Sequence, residues 1–189
     1  MKRFFERVKE WWYLYLIALV AMPLLSCYVT DLINTPRNEE TISVFLASCG
    51  NDADRVRKAL EEKKPDYLRE INVRSYDYSD NMYSYYFSVF GTENIDIVVL
   101  PMSVVYSETV LSCYASWPFE TREGEFYTPE GAKVPYGKKI RSKGDSSKSL
   151  LTYSDEKRDE DYYIFFGRDS IHLKKEWNTA SLFLEVFEE

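Results

Sequence analysis

The longest run without a charged residue is the feature that most constrains this chain. Residues 11–30 contain 20 consecutive positions with no Asp, Glu, Lys or Arg. At about 1.5 Å of rise per residue, a helix of this length crosses a hydrocarbon core of roughly 30 Å. Trp11, Trp12 and Tyr13 lie where aromatic side chains meet the membrane–water interface. The run therefore predicts one N-terminal transmembrane helix over residues 11–32.

The first ten residues carry the charges that set the predicted orientation. They contain four basic and two acidic side chains, a net charge of +2. Positively charged flanks stay on the cytoplasmic side of a membrane. The sequence therefore predicts a cytoplasmic flank at 1–10, a linker at 33–40 and an extracytoplasmic α/β domain at 41–189, at the cell membrane.

The apolar run admits two alternatives to an uncleaved signal-anchor. A cleaved signal has a shorter apolar region, of about 7–15 residues, and a small-x-small cleavage site, which is not clear here. The segment "LLSC" at 24–27 resembles a bacterial lipobox and makes Cys27 a candidate for lipidation. Leu25 is an unusual occupant of its position in that motif, and apolar residues continue beyond Cys27. We favour the uncleaved anchor, and the lipoprotein remains the alternative.

Charge, histidine and cysteine usage exclude several function classes. Residues 11–189 contain 20 basic and 29 acidic residues, a net charge of −9, so this part lacks the electrostatic footprint for nucleic acid. A single histidine, His172, without CxxC or HExxH motifs argues against zinc, and we expect no cofactor. Cys49 and Cys113 are the one cysteine pair outside the anchor, and the sequence leaves open whether they form a disulfide.

Short apolar segments alternate with amphipathic ones along the rest of the chain. Strands are expected at about 42–47, 71–75 and 95–100, each followed by a helix. This order predicts parallel strands with right-handed crossovers, with the first strand placed centrally. Residues 162–166 are expected to join the same sheet, after a turn at 129–131 between two further strand-like arms. The predicted fold is an α/β three-layer sandwich with a mixed, mainly parallel sheet.

The order of these segments resembles a known family. A basic flank and a single span are followed by "EETISVFLAS", "YLREINVRSYDYSD", "FGTENIDIVVLP", "VPYGKKI" and "DYYIFFGRDSIHL". This series resembles membrane-tethered extracytoplasmic solute-binding-like proteins of Gram-positive bacteria. The resemblance implies the periplasmic-binding-protein architecture, in which a ligand binds between two α/β lobes. The chain departs from it because the residues after 101 are too few for a second lobe.

Polar residues follow the carboxyl ends of the predicted parallel strands. Ligands of open α/β sheets bind beyond these ends, near the point where the strand order reverses. The loops concerned are 48–52, 75–80 and 101–103, and the candidate ligand-binding residues are Asn51, Asp52, Tyr76, Tyr78 and Ser103. The alternative is that Asp52 and Ser103 only cap helices. The sixteen tyrosines similarly suggest either a binding platform or core filling.

Motifs for catalysis or metal binding are weak, and we expect no enzyme. The "GDSS" segment at 144–147 lies in a polar loop, and GxSxG is absent. His172, Asp169 and Ser170 form a short-range cluster rather than a triad. The acidic residues within 155–161 lack the spacing of a calcium loop and indicate a solvated charge run.

Two function classes follow from these observations. The first is a membrane-anchored extracytoplasmic binding module of unknown ligand. One lobe buries only part of a small solute, whereas closed pockets bury about 70–90% of a ligand's surface, so small-solute binding is uncertain. A protein partner or a second lobe supplied in trans is favoured. The alternative is a structural or assembly subunit beside a membrane transporter that does not bind ligand.

Overall fold

The computed structural model describes residues 2–48, 52–119, 124–145, 150–151, 159–173 and 179–188. The chain forms two compact units, Met1–Arg37 and Asn38–Glu189.

The first unit is one long helix, α1 (Lys2–Asn34), with Pro23 inside it. Its segment Trp11–Asn34 has 24 residues and a mean hydropathy of 2.0, so it is long and apolar enough to cross a membrane. Leu19 and Met22 in this segment are 71% and 70% exposed. Exposed apolar surface of this extent is typical of membrane or protein interaction sites. The predicted N-terminal apolar helix is confirmed, by length and composition.

The second unit contains six strands and four helices within the described residues. In chain order these are β1 (Thr41–Ala47), α2 (Ala53–Glu62), β2 (Glu70–Tyr76), α3 (Tyr83–Phe90), β3 (Ile97–Pro101), α4 (Ser107–Cys113), β4 (Phe126–Tyr127), β5 (Gly137–Arg141), β6 (Tyr162–Phe166) and α5 (Thr179–Glu188). Short 3-10 helices lie at Asn38–Glu40, Met102–Val104 and Ile171–Leu173.

The six strands form one sheet in the order β2-β1-β3-β6-β5-β4. β1 pairs in parallel with both β2 and β3, which confirms the parallel trio and the central place of β1 within it. β6 joins the same sheet, as predicted, but it runs antiparallel to β3 and β5, and β4 pairs antiparallel with β5.

The prediction of a mainly parallel sheet is therefore wrong, because three of the five strand pairs are antiparallel. The reason is that a strand buried on both faces is a continuous apolar run in either direction, and β6 is buried throughout. The short turn between β4 and β5 also allows only an antiparallel pair, since parallel strands need a crossover of a dozen or more residues. The result is a mixed α/β unit.

Alternate residues of the strands enter two separate hydrophobic clusters. In β1, Val44 and Leu46 pack with Leu60 of α2 and Phe183 of α5. Phe45, between them, packs instead with residues that include Tyr83 of α3 and Val110 of α4. Because successive side chains of a strand point to opposite faces, this pattern explains why β1 has apolar residues on both faces.

Because β1, β2 and β3 are parallel, all three begin at one edge of the sheet and end at the opposite edge. The carboxyl edge is where β1, β2 and β3 end, at Ala47, Tyr76 and Pro101, and where antiparallel β6 begins. The amino edge is where the same three strands begin and where β6 ends at Phe166. Loops at the carboxyl edge contain the residues predicted to bind a ligand.

Candidate functional site

Glu160 joins two of the predicted site residues at the carboxyl edge. Its Oε1 accepts hydrogen bonds from the Tyr78 hydroxyl at 3.2 Å and from Ser103 Oγ at 3.0 Å. Its Oε2 accepts from the Ser103 backbone N–H at 2.9 Å. Tyr78 follows β2, Ser103 follows β3 and Glu160 precedes β6. Because β6 runs antiparallel, the three segments meet at one edge, and we call these residues the Glu160 cluster.

Two ion pairs lie next to the Glu160 cluster in sequence. Arg141 Nη2 donates to Asp159 Oδ1 at 2.6 Å, and these side chains are only 1% and 10% exposed. Lys139 Nζ lies 2.8 Å from Asp161 Oδ2 and also contacts Glu125. The hydrogen bond from Lys139 holds the pKa of the Asp161 carboxyl below its ordinary value. These pairs fix the segment from which Glu160 projects.

The acidic segment is therefore not a solvated charge run in its described part. Residues 159–161 are each bonded, to Arg141, to the loop residues Tyr78 and Ser103, and to Lys139. Residues 155 and 156 lie outside the described part, as do residues 146 and 147 of the "GDSS" segment. Sequence analysis missed Glu160 because its partners are 57 and 82 positions away in the chain.

Asp52 is placed differently from Tyr78 and Ser103. It occupies the N-cap position of α2, but its side chain makes no capping hydrogen bond. The residue is fully buried, and its Oδ1 lies 3.7 Å from Arg55 Nη1. Asn51 and Cys49 lie outside the described residues, while Cys113 is a free thiol.

Tyr76 belongs to a ring stack. Its ring centroid lies 4.5 Å from that of Tyr86, 5.5 Å from that of Phe45 and 6.0 Å from that of Phe90, all at small interplanar angles. Stacked rings at these separations stabilise a core beyond their buried area. Tyr76 therefore packs in the manner of a core residue, in line with the core-filling alternative.

Tyr83 is a buried polar residue near this edge. It begins α3 and is 7% exposed. Among the described residues its hydroxyl has no hydrogen-bond partner. Burial raises the pKa of the Tyr83 phenol, and the neighbouring Tyr106 and Tyr162 raise it further. A phenol is protonated at neutral pH even without this shift, so a hydrogen-bond donor is buried here without a partner among the described residues.

Comparisons with known proteins give no independent guide to this site. No family model, curated protein or solved structure matches the chain. The resemblance to solute-binding-like proteins therefore stays a prediction, and function has to be argued from the geometry of the domain itself.

The arrangement at the carboxyl edge is suited to binding through a fixed surface. The polar groups of Tyr78 and Ser103 are already bonded to Glu160, which positions the two loops. Large side chains beside them face outward, with Met102 at 45%, Tyr106 at 61% and Met82 at 49% exposure. The edge thus combines rigid loops with exposed apolar and aromatic groups.

Proposed function

We propose that this chain is a membrane-anchored binding module whose α/β domain lies outside the cytoplasm and binds a protein partner through the carboxyl edge. The apolar helix supports the anchor, and the net charge of +2 on the first ten residues supports the orientation. The proposal includes the three-layer packing of one lobe of a solute-binding protein, which the two hydrophobic clusters support.

The main support for this proposal is that polar groups at the carboxyl edge are hydrogen-bonded to Glu160, whereas the apolar side chains beside them are exposed. Ser103 donates both its backbone N–H and its hydroxyl to Glu160, so fewer donors remain for a small polar solute. On either side of it, Met102 and Tyr106 are 45% and 61% exposed. Tyrosine and methionine are enriched where proteins contact one another, because they supply large contact areas.

The position of this surface in the sheet gives further support. β1 lies between β2 and β3, so the chain order reverses between β1 and β3. Binding in open α/β sheets occurs at this reversal, outside the carboxyl ends of the strands. Ser103 and Met102 follow directly from β3 at that point.

Photocrosslinking in intact membranes tests this function. A photoreactive amino acid replaces Tyr106 at the carboxyl edge, and a matched variant carries it at Asp169, which is exposed near the amino edge. We expect one adduct of defined mass from position 106 and none from position 169. Equal adducts from both positions, or no adduct from position 106 in folded protein, contradict the proposal.

A further inference from the structure

A polar groove of about 420 Å³ lies at the amino edge, opposite the Glu160 cluster. Its walls include Asn38, Thr41, Ser43, Asn94, Asp96 and Ser170. They come from the first residues of β1 and the segment before it, from the segment that enters β3 and from the segment that leaves β6. Pockets that hold small molecules typically measure about 300–1,000 Å³, so the groove has the size of a small-ligand site.

Gly167 brings the two sides of the groove together. Its backbone N–H donates to the carbonyl of Asp96 at 3.0 Å. A Cβ atom at this position would lie 1.8 Å from the carbonyl oxygen of Ile95, which is far inside van der Waals contact. Only a glycine at position 167 therefore allows the segment after β6 to lie this close to the segment before β3. This close approach shapes the groove.

The Asp96 carboxylate is held in a fixed orientation in the groove wall. Its Oδ2 accepts the Ser43 backbone N–H at 2.8 Å, and its Oδ1 accepts the Ser170 hydroxyl at 2.6 Å. A carboxylate has about four acceptor positions, so these two bonds leave further positions for a ligand. Burial raises the pKa of Asp96, although the bonds from Ser170 and Ser43 and the nearby His172 act in the opposite direction.

The side chains of His172 and Arg168, which lie near Asp96 in the fold, contact backbone carbonyls. Nε2 of His172 lies 2.9 Å from the Thr41 carbonyl, and the His172 backbone N–H donates to Ser170 Oγ at 3.2 Å. The guanidinium of Arg168 donates to the Leu111 carbonyl. Within the described part of the chain, no Lys or Arg forms an ion pair with Asp96. The described residues thus orient this carboxylate, and none of their Lys or Arg side chains forms an ion pair with it.

We propose that the groove binds a small cationic solute that presents a primary amine to Asp96, while the amide and hydroxyl side chains around it contact the rest of the ligand. An amine supplies three donors and a charge, and charge-assisted hydrogen bonds are about twice as strong as neutral ones. The groove is lined by two carboxylates, Asp96 and the exposed Asp169, and by one guanidinium, that of Arg168, which donates to the Leu111 carbonyl. The net charge of these groups is negative and disfavours anions. This site is separate from the carboxyl edge and goes beyond the proposed function.

Matched pairs of small molecules test the ligand class. The full chain in detergent micelles is titrated with ethanolamine, putrescine and glucosamine, and with their hydroxyl counterparts ethylene glycol, 1,4-butanediol and glucose. Binding is followed by saturation-transfer NMR. We expect at least one amine to bind and its counterpart to bind at least tenfold more weakly. If none of the amines binds, or if the counterparts bind equally well, the proposal is overturned.

Two variants test the site itself. Asp96→Asn is expected to weaken amine binding at least tenfold, and Asn38→Trp, which places a large ring in the groove wall, is expected to block it without changing Asp96. Glu62→Gln, at the exposed end of α2 and outside the groove lining, removes one carboxylate elsewhere and serves as the control, which should leave amine binding unchanged. If Asp96→Asn does not fold, Asn38→Trp decides the matter. Retained binding in a folded Asp96→Asn or Asn38→Trp protein shows general attraction to an acidic chain and overturns the proposal.

Discussion

At the scale of single residues, Glu160 makes the contacts that hold the carboxyl edge together. Its carboxylate accepts three hydrogen bonds from two loops. Glu160→Gln keeps the shape but replaces a charged acceptor by a neutral one, so we expect a loss of about 1–2 kcal/mol in the free energy of unfolding. Urea unfolding measures the change.

A matched glutamate provides the control for this substitution. Glu62 is exposed at the end of α2. Glu62→Gln is expected to change stability by less than about 0.5 kcal/mol. Equal effects of the two substitutions would show that the Glu160 cluster contributes nothing specific to stability.

Gly167 allows a second prediction at this scale. Gly167→Ala places a methyl group 1.8 Å from the Ile95 carbonyl oxygen, and the backbone cannot move apart without breaking the hydrogen bond to Asp96. We expect destabilisation of about 3 kcal/mol or more. Gly131→Ala is the comparison, because Gly131 has φ +84° and open space around it. It should lose only about 1–2 kcal/mol, from backbone strain. Similar losses, measured by thermal unfolding, would contradict the close approach.

At the scale of secondary-structure elements, β3 is the strand on which both halves of the sheet depend. It pairs with β1 on one side and β6 on the other, and Val99 is fully buried. Val99→Asp buries an unpaired carboxylate and is expected to cost at least about 4 kcal/mol. Val134→Asp is the matched control, because Val134 is 49% exposed between β4 and β5 and should change stability little. An unchanged melting temperature for Val99→Asp would mean that β3 is not central.

The secondary-structure elements show which parts of the fold could be predicted from the sequence. Periodicity and turn residues predicted β1, β2, β3 and β6 and the helices between the first three, because these signals are local. The direction of β6 is not local, since an apolar run such as 162–166 packs equally well in either direction. The Glu160 cluster was missed for a related reason, because its three members come together only after the sheet has formed.

At the scale of the whole molecule, the orientation of the chain is the first property to test. The positive flank at 1–10 predicts that the α/β unit lies outside the cytoplasm. Protease added to protoplasts should therefore remove an epitope fused after Glu189, and an epitope fused before Met1 should survive. Protection of the epitope after Glu189 in intact protoplasts would reverse the assignment.

The strand order has a consequence for how copies of this chain meet one another. Among the described strands, β2 is the last on its side of the sheet, so along its seven residues one row of main-chain N–H and C=O groups faces outward. Such a row can add a strand from a second molecule, and charged side chains are a common protection against this. Glu70 and Arg74 are both exposed on β2. Self-association by strand addition is therefore opposed by the charges of β2 itself.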